Sequence, residues 1–408
     1  MAKNKEPEVL TRSNWSANFV LFGNAKIGNN TFSLDERSKK SDWIYNRMSL
    51  GVDCGEKHGT IYCQMMGGYG IERQNEITVH GKKEDGSDDY QNTYRIAWED
   101  REDPDILKDI GDNCFITIAI ELDSHEKLFY KRFLHQYDAI NYLSEHLADG
   151  TNIRVSGTLQ YQYYNGNLSI NKNVNRITLS TQEPAATFTQ SILIDEDSID
   201  KESLVKFDKD RGTVRIYGYI LERLREFNGH DLTEDGKFKS GQFVPFAKEF
   251  EFLIPERIRD DKAKIAKAVG RFFKVKKGTV SQINFDGYFV EGGATVLPSY
   301  DDLGDEFKEL VDLGLMSEEE AIAKCATNGA RERRMILKLP HVRRVTDKDG
   351  NVSDVFQEFH EAYTQDALNP YYMTPAIADE DYEVEEVPFD ENGTGTDDDS
   401  WLDELDLT

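Results

Sequence analysis

The chain has 408 residues, 38% of them hydrophobic, and no apolar run long enough to span a bilayer. Its net charge of −27 is unevenly spread: residues 379–408 hold fourteen acids and no lysine or arginine, which leaves −13 on the preceding 378 residues. A mildly acidic body lacks the overall basic footprint of most nucleic-acid binders, so any such binding must rest on local patches.

The start, Met1 to Pro7, has no signal-like apolar segment, and Cys54, Cys63, Cys114 and Cys325 show no metal-ligand or redox spacing. The expectation is a cytoplasmic protein (the host cytoplasm, if a phage encodes it) with reduced thiols, no metal and no cofactor. From about Trp15 to Leu179 the chain is strand-like. Segments 44–52, 60–66, 76–80, 93–98 and 114–122 are rich in β-branched and aromatic residues and are separated by turn residues. Phe133, Tyr137, Ile140, Leu143 and Leu147 recur at helical spacing, and Asp149-Gly150 ends that helix. A long hairpin follows. Ile153, Val155, Gly157, Leu159, Tyr161 and Tyr163 alternate with polar residues, Asn165-Gly166 supplies the tight turn, and Leu168 to Leu179 returns. Strands, a helix and a long hairpin in this order predict a five-stranded OB barrel.

A polar stretch with Glu183-Pro184 and Asp195-Glu196-Asp197 separates a second block. It reads as strands over 213–225 and 247–254, a helix over about 257–270, and strands from Phe272 to Gly293. Two short helices lie within 300–327; Gly314 closes the first, and Ser317 with Glu320 forms a capping box for the second. Strands over 331–345 and a hairpin at Asp349-Gly350 complete the folded part. The expected architecture is mainly β with α insertions (α+β): tandem OB-like barrels, a small helical segment and a disordered acidic tail. The boundaries are 1–182 for the first barrel, 183–298 for the second, 299–370 for the helical insertion and closing strands, and 371–408 for the tail.

Single strands of nucleic acid are held by aromatic rings that stack on bases and by cations that track phosphates. Arg37, Lys39, Lys40, Trp43, Tyr45 and Arg47 cluster at the entrance to the first barrel, and Arg154, Tyr161, Tyr163, Tyr164, Lys172 and Arg176 surround its hairpin. Tyr217, Tyr219, Arg223, Arg225 and Phe227 line one segment of the second block. Lys262, Lys264, Lys267, Arg271, Lys274, Lys276 and Lys277 form a run without an acid beside Phe272 and Phe273. Arg331, Arg333, Arg334, Lys338, Arg343 and Arg344 form a further patch. Tyrosines on strands also fill cores, and lysines on helices also solvate them, so each assignment has a purely structural counterpart.

Enzyme motifs mostly fail: there is no phosphate loop and no His-Glu-x-x-His helix. Lys83-Glu84-Asp85-Gly86 matches a nucleotidyltransferase pattern, but the Lys274-Val275-Lys276 and Glu291-Gly292 elements stand in the wrong order, and a hairpin turn explains the match better. Asp347-Lys348-Asp349-Gly350-Asn351 lacks the ligands of a calcium loop and reads as a β-turn. In the tail, Asp397, Asp398, Asp399, Trp401, Leu402 and Leu405 set an aromatic and leucines in a block of acid, with Leu407 beyond them. That arrangement suits a partner's basic, apolar groove, or competition with a polyanion for the protein's own cationic surface.

The hairpin 154–179 and the tail resemble single-stranded DNA-binding proteins of the replication type, particularly those of bacteriophages. Asp397-Asp398-Asp399-Ser400-Trp401-Leu402 is similar to the terminal motif of bacterial members, with six residues added after it. The resemblance implies OB barrels that bind single-stranded DNA and a tail that recruits replication or recombination proteins, without membrane attachment or catalysis. Two other readings remain: a protein–protein adaptor or structural protein that binds no nucleic acid, and an adenylating nucleotidyltransferase using Lys83.

Overall fold

The computed structural model describes residues 9–368, apart from 165–166, 200–206, 224–225, 228–229, 232–242, 293–294, 297–299, 301–302, 325–326, 329–331, 347–349 and 351. The expected tail therefore lies outside the described residues, as do Arg225 and Arg331. What is described is mainly β, with few helices.

The first half holds β1 (Ala17–Lys26), β2 (Phe32–Arg37), β3 (Trp43–Asp53) and β4 (Thr60–Gly70), then an inserted hairpin of β5 (Glu76–Lys82) and β6 (Asp88–Ala97). Helix α1 (Pro104–Leu107), β7 (Ile116–Leu122), β8 (Leu128–Phe133) and α2 (Gln136–His146) lead into β9 (Asn152–Tyr164), β10 (Asn167–Leu179) and β11 (Ala185–Ile194). The second half holds β12 (Thr213–Glu222), a small ladder of β13 (Glu226–Phe227) and β14 (His230–Asp231), β15 (Val244–Leu253), α3 (Lys262–Phe273) and β16 (Thr279–Gly292). After it come β17 (Thr295–Val296), α4 (Asp305–Asp312), α5 (Glu318–Lys324), β18 (Thr327–Asn328), β19 (Glu332–Pro340), β20 (Val342–Thr346), β21 (Val352–Phe356) and β22 (Glu358–Thr364).

Fourteen strands join one sheet, and its pairings run in two closed circuits. The first is β1–β3–β4–β10–β9–β1; all its pairs are antiparallel except β4 with β10, which meet in parallel at Gln64 and Asn173. The second is β11–β12–β15–β19–β16–β11, again antiparallel except for the parallel pair of β15 and β19. Numbered within each circuit, the strand order is 1-2-3-5-4, and a helix leads into the fourth strand of each, α2 in the first, after the inserted β5–β8 and α1, and α3 in the second. The two first strands pair with each other, from Ala17 opposite Gln190 to Phe22 opposite Ala185.

Period-2 alternation builds these strands. In β9, Ile153, Val155, Gly157, Leu159 and Tyr161 are buried, while Arg154, Ser156, Thr158 and Gln160 between them face outward. The inward side chains of both circuits merge into one core that runs from Phe19 and Met48 to Phe250 and Phe285. At the junction, the buried Lys172 of β10 pairs with the buried Glu291 of β16. Glu291 N–H also donates to His58 O at 2.9 Å. Gly59, at φ +72°, lies so close that a Cβ there would come within 1.9 Å of Glu291 O.

Three sequence expectations need correcting. Residues 185–194, read as part of a polar separator, form β11, the first strand of the second circuit; its first half alternates, with Ala186, Phe188 and Gln190 buried, and its second half is buried on both faces. Phe133 belongs to β8, because His135 caps the following helix by accepting from Tyr137 N–H at 3.2 Å. Phe272 and Phe273 end α3 instead of opening a strand. Other local readings hold. Gly314 sits at φ +69° after α4, and Ser317 and Glu320 exchange side-chain-to-backbone hydrogen bonds of 3.1 and 3.0 Å.

Candidate nucleic-acid interface

Strands β3, β4, β10 and β9 present one continuous outer face. The register sets Trp43 opposite Gly70, Tyr45 opposite Gly68, Arg47 opposite Met66 and Ser49 opposite Gln64. A Cβ at Gly68 would stand 2.0 Å from Ile44 O, so only glycine lets the strands approach there. The Trp43 ring lies on Tyr45, with centroids 4.7 Å apart and planes 20° from parallel. Arg47 is exposed beyond them, and Tyr62 is exposed at the other end of the face.

The middle of the face is a ladder of side-chain amides. Gln64 Nε2 donates to Asn173 Oδ1 at 3.2 Å, and Asn173 Nδ2 donates to Gln160 Oε1 at 2.8 Å. Asn171 Nδ2 donates to Gln162 Oε1 at 2.8 Å. Each amide keeps donor and acceptor capacity beyond these bonds. Among the outward positions 43, 45, 47, 49, 62, 64, 66, 158, 160, 162, 171 and 173, none is acidic. Glu36, opposite Tyr45 on β2, lies at the rim. An aromatic stack, a cation and uncharged amides on one face can stack and hydrogen-bond flat polar ligands without repelling an anion.

A second feature lies on the other circuit. Ile265, Val269 and Phe273 bury one side of α3, and Lys262, Lys264, Lys267, Arg271, Lys274, Lys276 and Lys277 are exposed on or just beyond the helix. Arg271 reaches Glu358 at 3.3 Å, Lys276 reaches Glu361 at 3.1 Å, and the Phe272 and Phe356 rings are 6.5 Å apart. The α3 run thus abuts β22 and the β20–β21 ribbon, where Arg343 and Arg344 are exposed. Arg344 is answered there by Asp354 at 3.1 Å.

Several expected contact residues are placed differently. Tyr161 is core: only 2% exposed, it donates its hydroxyl to Gln190 Oε1 at 2.9 Å. Phe273 is core, stacked on Phe285 at 5.2 Å. Lys172 is locked to Glu291 under the surface. Tyr45 is 7% exposed and backs Trp43 without meeting solvent itself. Each lies where strand alternation or helical spacing turns it inward, or where a neighbour covers it.

The second circuit's counterpart face carries carboxylates paired with arginines. Tyr217 stands opposite Glu249, and Arg215 pairs with Glu249 at 3.5 Å. Tyr219 donates to Asp195 Oδ2 at 3.1 Å; burial and that carboxylate raise its phenol pKa. Arg334 binds Glu251 at 2.7 Å through Nε. Burial alone would raise the Glu251 carboxyl, but hydrogen bonds from Arg334 and Thr213 outweigh it and hold the pKa below its ordinary value. Arg223 lies over the Phe243 ring at 4.9 Å.

Of the remaining expected residues, Lys39 and Lys40 are exposed in the loop before β3, and Arg333 and Lys338 are exposed on β19. Arg176 is exposed beside a bulge in β10, and the half-buried Arg154 lies over Phe22 at 5.9 Å. Tyr163 and Tyr164 belong to β9, but their side chains lie outside the described residues. Sequence reading missed the amide ladder, although Gln160, Gln162, Asn171 and Asn173 stand at the alternating positions that signal a shared face. Lys83 to Gly86 forms the exposed turn of the β5–β6 hairpin, with Gly86 at φ +82°. Among the described residues no group of three or more His, Cys, Asp or Glu could hold a metal ion, and no helix is long and apolar enough to cross a membrane.

No protein-family model and no curated protein matches this chain. Among solved structures, a deletion mutant of the single-stranded DNA-binding protein from Thermus aquaticus is similar over 68% of this chain and 89% of that one. The two share 9% identity, with a TM-score of 0.27. A likeness that slight carries no argument about fold or function.

Proposed function

We propose that this chain is a non-enzymatic single-stranded DNA-binding protein acting in replication or recombination, built on two OB-like barrels. The strand order 1-2-3-5-4 in each circuit, with a helix leading into the fourth strand, supports the barrel reading. The outer face of β3–β4–β10–β9 supports the binding reading. In a chain with 76 acids, those strands keep their outward centre free of carboxylates and furnish it with Trp43, Arg47 and amides. Bases stack on Trp43, whose ring is held flat by Tyr45, while the amides meet base edges and Arg47 meets phosphate. The acidic tail recruits protein partners.

The test is a titration of labelled single-stranded DNA of about thirty nucleotides, enough for two OB folds at about 4–16 nucleotides each. Duplex serves as competitor, and two salt concentrations are compared. The reading expects salt-sensitive binding that prefers the single strand and weakens by about 1–3 kcal/mol in Trp43→Ala. An absence of binding with the tail removed moves the assignment to a protein adaptor.

A further inference from the structure

Strand β8 closes one border of the large sheet, and among the described residues it pairs with β7 alone. An open edge offers a row of backbone donors and acceptors to another strand. Three of the larger exposed apolar side chains flank this edge, Leu122 at 54% and Tyr130 at 55% on one face and Phe129 at 47% on the other. The bulge in this ladder puts its extra residue on β7, between Ile118 and Glu121, so β8 itself runs regularly from Leu128 to Phe133.

We infer that β8 is a homodimer edge, occupied by β8 of a second copy of this chain in antiparallel register about a two-fold axis at Tyr130. The inference is independent of nucleic-acid binding. Charge and register favour this occupant. Lys131 lies 3.9 Å from Glu121, and Arg132 lies 3.0 Å from Asp112, so the chain's own carboxylates already answer both cations. The patch is therefore aromatic with balanced charge, which suits a protein strand better than a polyanion.

A two-fold axis perpendicular to the sheet requires opposed residues to share a face, which leaves few registers. Centred on Tyr130, it sets Tyr130 against Tyr130, Phe129 against Lys131 and Leu128 against Arg132, with aromatic or apolar groups opposite cations and no like charges paired. Centring on Phe129 opposes Lys127 to Lys131, and centring on Lys131 opposes two lysines. Like charges directly opposite are destabilising, and centring on Leu128 would set β8 against the 123–127 turn, where Glu126 stands at φ +60°, so the register at Tyr130 is the one selected.

The test uses the full chain without DNA. Sedimentation velocity over a wide concentration range should show a reversible dimer, and Phe129→Asp with Tyr130→Asp should shift it to monomer. Opposed residues in the proposed register have Cα atoms about 4.5–5.5 Å apart, within the disulfide range of about 4.4–6.8 Å. Oxidised Tyr130→Cys should therefore give covalent dimers. Phe129→Cys should not, since two residues of offset put its Cα atoms about 8 Å apart. Oxidised wild type controls for the native thiols, and matching melting curves of the reduced variants show that they fold. A wild type that stays monomeric with no Tyr130→Cys cross-link would overturn the inference, as would equal cross-linking at both positions. Aspartates that weaken DNA binding without changing the mass would overturn it too, by assigning the patch to nucleic acid.

Discussion

His135 caps α2 through its unprotonated Nδ1 and packs edge-on against Trp98, with ring centroids 4.6 Å apart. Burial is the main reason its pKa falls to about 4, with Arg101 adding to the fall and Asp138 opposing it. The folded pKa is lower than the unfolded one. The stability it contributes is therefore complete above about pH 6.5 and is lost as pH falls toward 4, by on the order of 2–3 kcal/mol. His135→Asn, which keeps a capping acceptor but cannot titrate, should flatten that slope in denaturant melts between these pH values. Lys172 is the second residue whose place decides its role. Lys172→Met leaves Glu291 charged and buried, so unfolding free energy should drop by about 3–5 kcal/mol, and adding Glu291→Leu should recover much of the loss. A single variant as stable as wild type would show that the pair is dispensable.

At the scale of elements, α3 shows how composition and structure divide the work. Ile265, Val269 and Phe273 at helical spacing anchor one side, and Asp261 caps the start by accepting from Lys264 N–H at 3.1 Å. The lysines follow from what those positions leave to solvent. Glu358 and Glu361 of β22 answer Arg271 and Lys276, while among the described residues no ion pair engages Lys262, Lys267, Lys274 or Lys277. If these four neutralise phosphates, replacing them with Gln should lower the salt slope of single-strand binding by about 0.7 for each phosphate no longer neutralised. An unchanged slope would make the helix face a solvated surface only.

At the scale of the molecule, the two circuits share one core and meet along β1–β11 and around Gly59 and Glu291. Shared packing predicts one cooperative unfolding transition, seen alike by tryptophan fluorescence and far-UV circular dichroism. Gly59→Ala adds a Cβ 1.9 Å from Glu291 O, at a positive φ, and should destabilise both halves together. Two separate transitions in that variant would mean that the halves fold independently.

Local order sufficed for much of this. The alternation of β9, the spacing of Ile140 and Leu143, the capping box at Ser317 and the glycine after α4 are short-range patterns, and each holds in the structure. Which residues face a ligand was not legible in the same way. Lys172, Tyr161 and Phe273 have the composition of a binding surface, yet strand pairing and helix packing turn them inward. The hairpin aligns Gln160 and Gln162 with Asn173 and Asn171, but Gln64 joins their ladder only because β4 and β10 meet in parallel across more than a hundred residues of sequence. Charge balance on the two equivalent faces was likewise decided by long-range pairing, which sets Glu249 and Glu251 against the second circuit's Tyr217 and Arg215 and no acid against the first circuit's Trp43 and Arg47. The sequence determined the elements, because propensity, capping and periodicity act within a few residues. Only the tertiary structure decided the surface, because burial and pairing depend on which distant strand lies alongside.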